Sequence, residues 1–158
     1  MGIQIRMAKV DDAVGISELL RELGLFPYIE KETPQITRER VARHLAMCLD
    51  DDSHSVFVAH TTAGQIVGYG AIHWLPYLML PSPEGYVSEL FIQESYRDQS
   101  IGSRLLEVMK NEAQQRSCSR LMLLNFRKRA SYQRQFYTKQ GWEEREEMAN
   151  FVYLFPSR

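Results

Sequence analysis

The feature that most constrains the fold is a strand, a polar turn and a long helix that follow one another between Tyr86 and Arg116. The strand "YVSELFI" ends at Ile92, and apolar residues recur at helical spacing from Ile101 onward. Between them lies a short polar stretch, "RDQS", that no apolar side chain explains. A helix start leaves backbone N–H groups unpaired and carries the positive end of the helix dipole. The sequence therefore predicts a tight turn that either binds a phosphate group or only connects strand and helix.

The same periodicities extend over the whole chain. They predict strands at 3–8, 55–60, 65–75, 86–92, 120–126 and 148–155, and helices at 11–24, 37–49, 101–116 and 131–141. The turn "TTAG" indicates a hairpin between the second and third strands, and two prolines mark 26–35 as a loop. The order β-α-α-β-β-β-α-β-α-β predicts one mixed α/β domain over residues 1–158.

Composition excludes several classes of protein. Nineteen basic and twenty acidic residues give a formal net charge of −1, which argues against a nucleic-acid or membrane-surface partner. Cys48 and Cys118 lie in separate predicted helices, outside any CxxC pair or histidine cluster, so we predict no metal site. No apolar run reaches membrane-spanning length, and we expect a cytoplasmic protein.

Two motifs resemble the GCN5-related N-acetyltransferase (GNAT) family. "YRDQSIGSRLL", preceded by "SELFI", is similar to the family's Arg/Gln-x-x-Gly-x-Gly/Ala acetyl-coenzyme-A signature, with Arg97 and Gly102 at matching positions. Downstream, "FYTKQGW" is similar to the family's Phe-Tyr-x-x-x-Gly-Phe segment, and the order of predicted elements agrees over nearly the whole chain. The resemblance implies a central, mostly antiparallel sheet that splays between strands four and five, flanked by about four helices.

The resemblance also implies acetyl-coenzyme A as cosubstrate. Its phosphates would lie on the turn and the first helical residues, and its acetyl carbonyl would meet backbone N–H groups of strand four, where a ligand can pair like an extra strand. The implied cofactor-binding residues are Leu90, Phe91, Ile92, Arg97, Asp98, Gln99, Ser100, Ile101, Gly102 and Ser103.

Three positions depart from the family pattern. Asp98 and Ser100 stand where glycines are common. We expect Ser100 to keep a helical backbone, and Asp98 must point to solvent because its carboxylate would repel bound phosphates. Ala130 stands where the family often has an asparagine that contacts the pantetheine arm, so that contact is either absent or supplied by Asn125.

Direct acetyl transfer needs an acid for the leaving thiolate and a base or water chain for the incoming ammonium. The resemblance implies Tyr137 as the acid, whereas spacing alone favours a tyrosine packed beside Phe136 in the core. Glu89, just before the cofactor-binding backbone, is the candidate base. The alternatives are a solvated charge on the strand face or a relay water held by Ser88 and Tyr86.

The resemblance leaves the acceptor open. It is a small-molecule primary amine or a peptide or protein amine, and a homodimer is left open as well. The loop around Tyr28, Glu30 and Glu32 occupies the place where the family builds its variable acceptor wall. The rival from another class is a non-catalytic module that keeps the fold, binds acyl-coenzyme A and senses it.

Overall fold

The computed structural model describes residues 2–156 and has a mixed α/β fold. The elements in chain order are β1 (Ile3–Met7), a 3-10 helix (Val10–Asp12), α1 (Ala13–Glu22), α2 (Pro27–Lys31), α3 (Pro34–Asp50), β2 (His54–Thr61), β3 (Ile66–Leu75), β4 (Glu84–Ile92), a 3-10 helix (Glu94–Tyr96), α4 (Ile101–Gln115), β5 (Arg120–Leu123), α5 (Ala130–Gln133) and a 3-10 helix (Thr138–Gln140). The chain divides into two compact units, one ending at Leu124 and one beginning at Asn125. One domain over 1–158 stays a prediction.

The five strands form one sheet in the order β1-β2-β3-β4-β5. Every neighbouring pair is antiparallel except β4 and β5, which are parallel. The predicted β2–β3 hairpin is confirmed: the Gly64 N–H donates to the Thr61 carbonyl oxygen over 2.9 Å, and Gly64 has a φ of +88°. The mostly antiparallel sheet implied by the resemblance is therefore present.

Helices cover both faces of this sheet. α1 and α3 pack on one face, in a core that includes Val58, Tyr69 and Ala71. α4 packs on the other face, where Gly68 and Gly70 of β3 leave it room. A Cβ atom at Gly70 would lie 2.9 Å from Met109 Cε, and one at Gly68 would lie 2.7 Å from Ile92 Cδ1. The absence of a side chain at Gly70 lets α4 approach β3 closely, and its absence at Gly68 leaves room for the side chain of Ile92.

Strand β4 leaves its parallel neighbour partway along. Its residues 84–87 pair with residues 120–123 of β5, whereas its ladder with β3 continues to Ile92. Residues 88–92 of β4 thus run on after the ladder with β5 has ended. This is the splay between strands four and five that the resemblance implied.

The loop predicted at 26–35 contains a helix, so that prediction is wrong. Pro27 is the first residue of α2, where its fixed φ suits a helix start, and the side chain of Ile29 is buried. α3 begins at Pro34 rather than at residue 37, because Thr33 caps it: the Ile36 N–H donates to Thr33 Oγ1 over 3.3 Å. The prolines begin helices here instead of excluding them.

The predictions for the last part of the chain are partly wrong. The helix expected over 131–141 is only the single turn α5 and a 3-10 helix, separated by Gln135 at a φ of +56°. Gly141, at a φ of +84°, ends the segment as predicted. The strand expected near 148–155 is absent from the described residues, where 149–156 have no regular structure. A strand is stable only when its backbone groups pair with a neighbouring strand, and the alternation of residues in a sequence does not show whether such a neighbour exists.

Candidate active site

The candidate site begins at an irregularity in β4. Ala71 of β3 pairs with Glu89, and the next β3 residue, Ile72, pairs with Val87. Ser88 is therefore an extra residue in β4, a β-bulge at the point where pairing with β5 ends. The bulge brings the side chains of Ser88 and Glu89 to the same face of the sheet. Glu89 contacts Tyr69 and Ser88 contacts His73, and both of these β3 residues lie on that face.

The end of β4 presents backbone N–H groups away from β3. The Gln93 N–H donates to the Val67 carbonyl oxygen of β3 over 2.8 Å. Because N–H groups of a strand alternate sides, Phe91 also faces β3, while Leu90 and Ile92 face the edge beyond the β5 ladder. Of the three predicted backbone contacts, Leu90 and Ile92 have the required direction. Phe91 instead contributes its ring, which packs 5.6 Å from the Phe26 ring between centroids.

Glu89 is exposed, but its carboxylate is held from within the sheet. The Tyr69 hydroxyl donates to Glu89 Oε1 over 2.8 Å, and Tyr69 itself is buried with 3% of its surface exposed. Burial, together with the charge of Glu89 and this hydrogen bond, raises the pKa of Tyr69 well above its usual value. Tyr69 is therefore a permanent hydrogen-bond donor that fixes one carboxylate oxygen of Glu89.

The bulge residue Ser88 has its own partner. Ser88 Oγ lies 2.8 Å from His73 Nε2, and the His73 ring lies 4.2 Å from the ring of His54 between centroids. Burial, with a smaller effect of the charge of His54, lowers the pKa of His73. The side chain of Ser88 is thus anchored by a largely neutral imidazole, on the same face as Glu89.

The turn before α4 is built on left-handed backbone. Asp98 has a φ of +60° and Ser100 a φ of +58°. The expectation that Ser100 keeps a right-handed helical backbone is therefore wrong. Glycine adopts this conformation without cost, which explains why the family pattern has glycines at the two positions. The side chain of Asp98 is exposed, as the sequence required.

The first residues of α4 supply backbone donors. The first intrahelical bond runs from the Arg104 N–H to the Ser100 carbonyl oxygen over 3.0 Å. The N–H groups of Ile101, Gly102 and Ser103 precede this ladder and point out of the helix start. Ile101 is buried beneath the turn, while Gln99 and Arg97 are exposed.

Arg97 connects the turn to the end of β4. Its Nε donates to the Ile92 carbonyl oxygen over 3.4 Å, and its backbone N–H donates to the Glu94 carbonyl oxygen over 3.1 Å. The carbonyl and N–H of Ile92 point to the same side of the strand. The guanidinium therefore lies at the edge that carries the Leu90 and Ile92 N–H groups.

Tyr137 belongs to the unit that begins at Asn125. Its ring lies 5.0 Å from the Phe136 ring and 6.1 Å from the Trp142 ring between centroids. Burial raises the pKa of Tyr137, although the charges of Arg129 and Arg134 act in the opposite direction. The hydroxyl therefore stays protonated at neutral pH and is able to donate a proton.

Asn125 and Tyr137 line one cleft of about 230 Å³ in this unit. Asn125 Oδ1 accepts a hydrogen bond from Ser131 Oγ over 3.1 Å, so the amide orientation is fixed by a neighbour. Ala130 is the first residue of α5 and is exposed. The structure thus brings together the two predicted residues of this unit.

The surroundings of α2 offer aromatic and charged groups. Tyr28 is exposed, and the Arg40 guanidinium carbon lies 5.5 Å from the centroid of its ring. Glu32 forms an ion pair with Arg40 over 2.7 Å and accepts a hydrogen bond from Thr37. Glu32 therefore fastens α2 to α3 and is not available to an acceptor.

Sequence reasoning missed Tyr69 and the role of Ser88 as a bulge. The signal for Tyr69 was its place between Gly68 and Gly70 on a strand opposite Glu89, but that pairing depends on register. A bulge has no signature in this sequence. Within residues 2–156, no group of three or more His, Cys, Asp or Glu side chains could hold a metal ion. None of the helices in that range is long and apolar enough to span a bilayer.

Comparison with known proteins gives three kinds of match. The model of the Acetyltransferase (GNAT) family matches residues 16–142. The thialysine N-epsilon-acetyltransferase of Bos taurus is 27% identical over 137 residues, which cover 81% of this chain and 78% of that protein. The structure of a transcriptional regulator from Bacillus halodurans C-125 matches with a TM-score of 0.81 at 22% identity, over 96% of this chain and 100% of that one.

The glucosamine-6-phosphate N-acetyltransferase of Arabidopsis thaliana matches with a TM-score of 0.78 at 17% identity, over 97% of this chain and 99% of that one. At such identities the two structures show a common fold and nothing about substrate.

Proposed function

Because the chain belongs to the GNAT acetyltransferase family, we propose that it transfers the acetyl group of acetyl-coenzyme A directly to a primary amine. The observation that carries this proposal is the arrangement at the end of β4. The backbone N–H groups of Leu90 and Ile92 face an edge that has no ladder to β5. The turn that follows leads into α4, whose first N–H groups have no partner within the helix.

The residues present fit the donor substrate. The N–H groups of Ile101, Gly102 and Ser103, with Arg97 beside them, offer hydrogen bonds and positive potential to the pyrophosphate. Asp98 and Gln99 form the exposed outer part of the same turn. The pantetheine arm has amide groups that would pair with the open edge of β4 as an added strand does.

The reaction follows from these groups. The amine nitrogen attacks the thioester carbon, and the N–H groups of the β4 edge stabilise the oxyanion. When the carbon–sulfur bond breaks, Tyr137 donates its proton to the thiolate. Glu89, whose position is fixed by Tyr69, accepts the proton that the ammonium loses, through water where the distance requires it.

We further propose that the acceptor is a small molecule with its amine on a flexible chain. The exposed carboxylate of Glu89 attracts an ammonium group, and the exposed ring of Tyr28 offers an aromatic wall near α3. The name of the Bos taurus relative points to a side-chain amine, so thialysine is the first acceptor to test.

One observation favours the rival, a coenzyme-A sensor without turnover. Asp98 and Ser100 hold left-handed conformations where the family has glycines, which makes the turn more costly to form. A sensor tolerates weak binding and has no need of Glu89 or Tyr137. The two functions differ in a single measurable property, the release of free thiol in the presence of an amine.

The test combines turnover and binding. Purified protein with acetyl-coenzyme A is given thialysine, lysine, polyamines and peptide amines, and released thiol is measured. Turnover with one of these amines supports the enzyme. Binding of acetyl-coenzyme A detected by calorimetry, with no turnover for any amine, favours the sensor.

The phosphate-binding turn is tested separately with Gly102→Val. We expect coenzyme-A affinity to fall by roughly tenfold or more while the melting temperature without ligand changes little, because the added side chain stands where the N–H groups meet the phosphates. Gly2→Val is the matched control, since a Cβ atom at Gly2 has nothing within 4 Å. Unchanged affinity in a folded Gly102→Val protein would reject the assignment of the turn.

The location of the protein belongs to the same proposal. We assign it to the cytoplasm. Cys48 and Cys118 are both free thiols, which suits a compartment where thiols stay reduced.

A further inference from the structure

Acetyl transfer to an ammonium group removes two protons from one nitrogen. The first leaves before attack, because an ammonium ion has no lone pair. The second leaves after attack, when the nitrogen of the tetrahedral intermediate is again positively charged. One of the two restores the proton that Tyr137 gives to the thiolate, and the other goes to solvent. Glu89 accepts the first proton in the proposed reaction, so the second still needs an acceptor.

Ser88 lies where that acceptor is needed. It is the extra residue of the β4 bulge, directly before Glu89 and two residues before Leu90, whose N–H faces the open edge of the strand. Residues of a strand rise by about 3.3 Å each, so Ser88 is close to Leu90 along β4. The side chains of Ser88 and Glu89 share one face of the sheet. A nitrogen that meets Glu89 at this edge therefore also has the Ser88 hydroxyl beside it.

The Ser88 hydroxyl lies between a strong and a weak acceptor. Ser88 Oγ is 2.8 Å from His73 Nε2 and 3.5 Å from the Ala71 carbonyl oxygen. A hydroxyl has one proton to donate, and the shorter contact makes the stronger hydrogen bond. The geometry therefore favours donation to an unprotonated His73 Nε2. The Ser88 oxygen then keeps lone pairs that can accept a proton, as in other pairs of a serine and a histidine.

The surroundings of His73 keep its imidazole neutral until a proton arrives. The His73 ring lies 4.2 Å from the ring of His54 and 5.8 Å from the ring of Tyr86 between centroids. Burial, with a smaller effect of the charge of His54, lowers the pKa of His73. A neutral imidazole is the form that accepts a proton.

Acidic groups near the two imidazoles come from α3 and β4. Asp51, which follows α3, accepts hydrogen bonds from Ser53, and Ser53 Oγ lies 2.6 Å from His54 Nδ1. These hydrogen bonds, and to a smaller extent the charge of His54, lower the pKa of Asp51. Burial, followed by the charges of Glu89 and Asp51, raises the pKa of Cys48 on α3, so this thiol stays neutral. A positive charge formed at the imidazoles is therefore attracted by Asp51, which is exposed to solvent.

We infer that Ser88 and His73 together take the second proton. Ser88 Oγ accepts it from the nitrogen of the tetrahedral intermediate while the hydroxyl proton of Ser88 passes to His73 Nε2. One N–H bond and one O–H bond break, and one O–H bond and one N–H bond form, so the positive charge moves from the intermediate to the imidazole. The imidazolium then gives a proton to water. Ser88 contacts the substrate and His73 acts through it. This inference rests on the proposed function.

The first experiment measures thiol release between pH 5 and 9 with acetyl-coenzyme A and an amine that the parent acetylates. The parent should show an inflection in the range where imidazoles titrate, because a protonated His73 accepts no proton. His73→Gln can still hold the Ser88 hydroxyl but does not titrate. We expect turnover to fall by roughly tenfold or more at neutral pH and the inflection to disappear.

Ser88→Ala should have the same effect as His73→Gln, whereas Ser88→Thr keeps the hydroxyl and should restore both turnover and inflection. A purely structural role of the pair would leave the inflection in place. The matched control is His60→Gln on β2, where His60 Nδ1 lies 2.9 Å from the Thr61 carbonyl oxygen. This variant should keep the turnover and the pH profile of the parent.

The second experiment needs no substrate. Nitrogen-15 NMR of the parent at pH 7.5 should show a neutral His73 with its proton on Nδ1, because Nε2 accepts from Ser88. A proton on Nε2 at this pH would overturn the inference, since the hydroxyl proton of Ser88 would then have no place to go.

The outcomes separate this inference from the proposed function. A parent that releases no thiol with any amine would reject both. A parent that turns over, with an inflection that persists in His73→Gln and Ser88→Ala, would reject this inference alone. If His73→Gln does not fold, the two Ser88 variants and the protonation of His73 in the parent decide.

Discussion

The two candidate catalytic residues lie in different kinds of structure. Glu89 lies on β4, inside a five-stranded ladder, next to a bulge and in contact with a buried tyrosine. Tyr137 lies between a single helical turn and a 3-10 helix, where the rings of Phe136 and Trp142 pack against its side chain. The first is oriented by backbone hydrogen bonds that extend across the sheet, and the second by local packing.

Substitutions at these two positions should therefore affect the protein differently. A change at Tyr137 should affect its own hydroxyl and little else, because few regular hydrogen bonds pass through it. A change around Glu89 should spread, because Tyr69 and the bulge belong to the core of the sheet. The predictions below test this difference, beginning with the largest expected effect.

Tyr137→Phe should lower turnover by roughly 10²-fold or more, the scale of losing a positioned acid. Coenzyme-A affinity by calorimetry and the melting temperature should stay near those of the parent, because the ring remains. The matched control is Tyr132→Phe, which removes a hydroxyl that donates to Glu144 in the same unit. If turnover is unchanged in Tyr137→Phe, solvent rather than Tyr137 protonates the thiolate.

Glu89→Gln should lower turnover by roughly tenfold at neutral pH and by more at lower pH. Below the pKa of the acceptor amine the nitrogen is an ammonium ion, and the base is then needed most. As pH rises, free amine accumulates and the variant should partly recover. Glu94→Gln, which changes an exposed carboxylate just after β4, is the control. A pH profile parallel to that of the parent would remove Glu89 from the mechanism.

Tyr69→Phe should lower turnover a few-fold and lower the free energy of unfolding by about 1 kcal/mol, the scale of one lost hydrogen bond. It should also change the alkaline limit of stability. The folded pKa of Tyr69 is raised, so the parent keeps its full stability below the unfolded value near 10 and loses it as pH rises above that. Denaturant unfolding between pH 8 and 11 measures this loss, which the variant should lack in part. Equal pH dependence in both proteins would contradict the raised pKa.

Ser100→Gly should raise the free energy of unfolding by about 1 kcal/mol, because glycine adopts a positive φ without strain. It should also tighten coenzyme-A binding by a small factor. Ser117 has a φ of +56° at the end of α4, away from the turn, so Ser117→Gly should give a similar gain in stability with no change in affinity. Equal affinity changes in the two variants would show that the conformation of Ser100 has no specific role in binding.

Much of the fold was predictable because its signals are local. The hairpin turn at Gly64 and the end of the segment at Gly141 coincide with glycines that adopt a positive φ, and α4 begins where apolar residues start to recur at helical spacing. The errors arose where one residue type is compatible with two local structures. Pro27 and Pro34 were read as helix breakers, but at the first position of a helix proline is favourable.

The candidate site was predictable only in part. The motif gave the position of the turn, and its two missing glycines, at Asp98 and Ser100, coincide with the left-handed residues of the structure. The bulge at Ser88 was beyond reach, because it depends on how two strands align over their whole length. The contact between Tyr69 and Glu89 follows from that alignment and was missed with it.

The two glycines of β3 differ in what a side chain there would displace. An added methyl group at Gly70 would meet the flexible end of Met109, which can move aside. An added methyl group at Gly68 would lie 3.0 Å from the Phe91 carbonyl oxygen, which belongs to the backbone beside Ile92 and cannot move alone. A substitution at Gly70 should therefore be absorbed by Met109, whereas one at Gly68 should shift the end of β4 although Gly68 is not among the implied cofactor-binding residues.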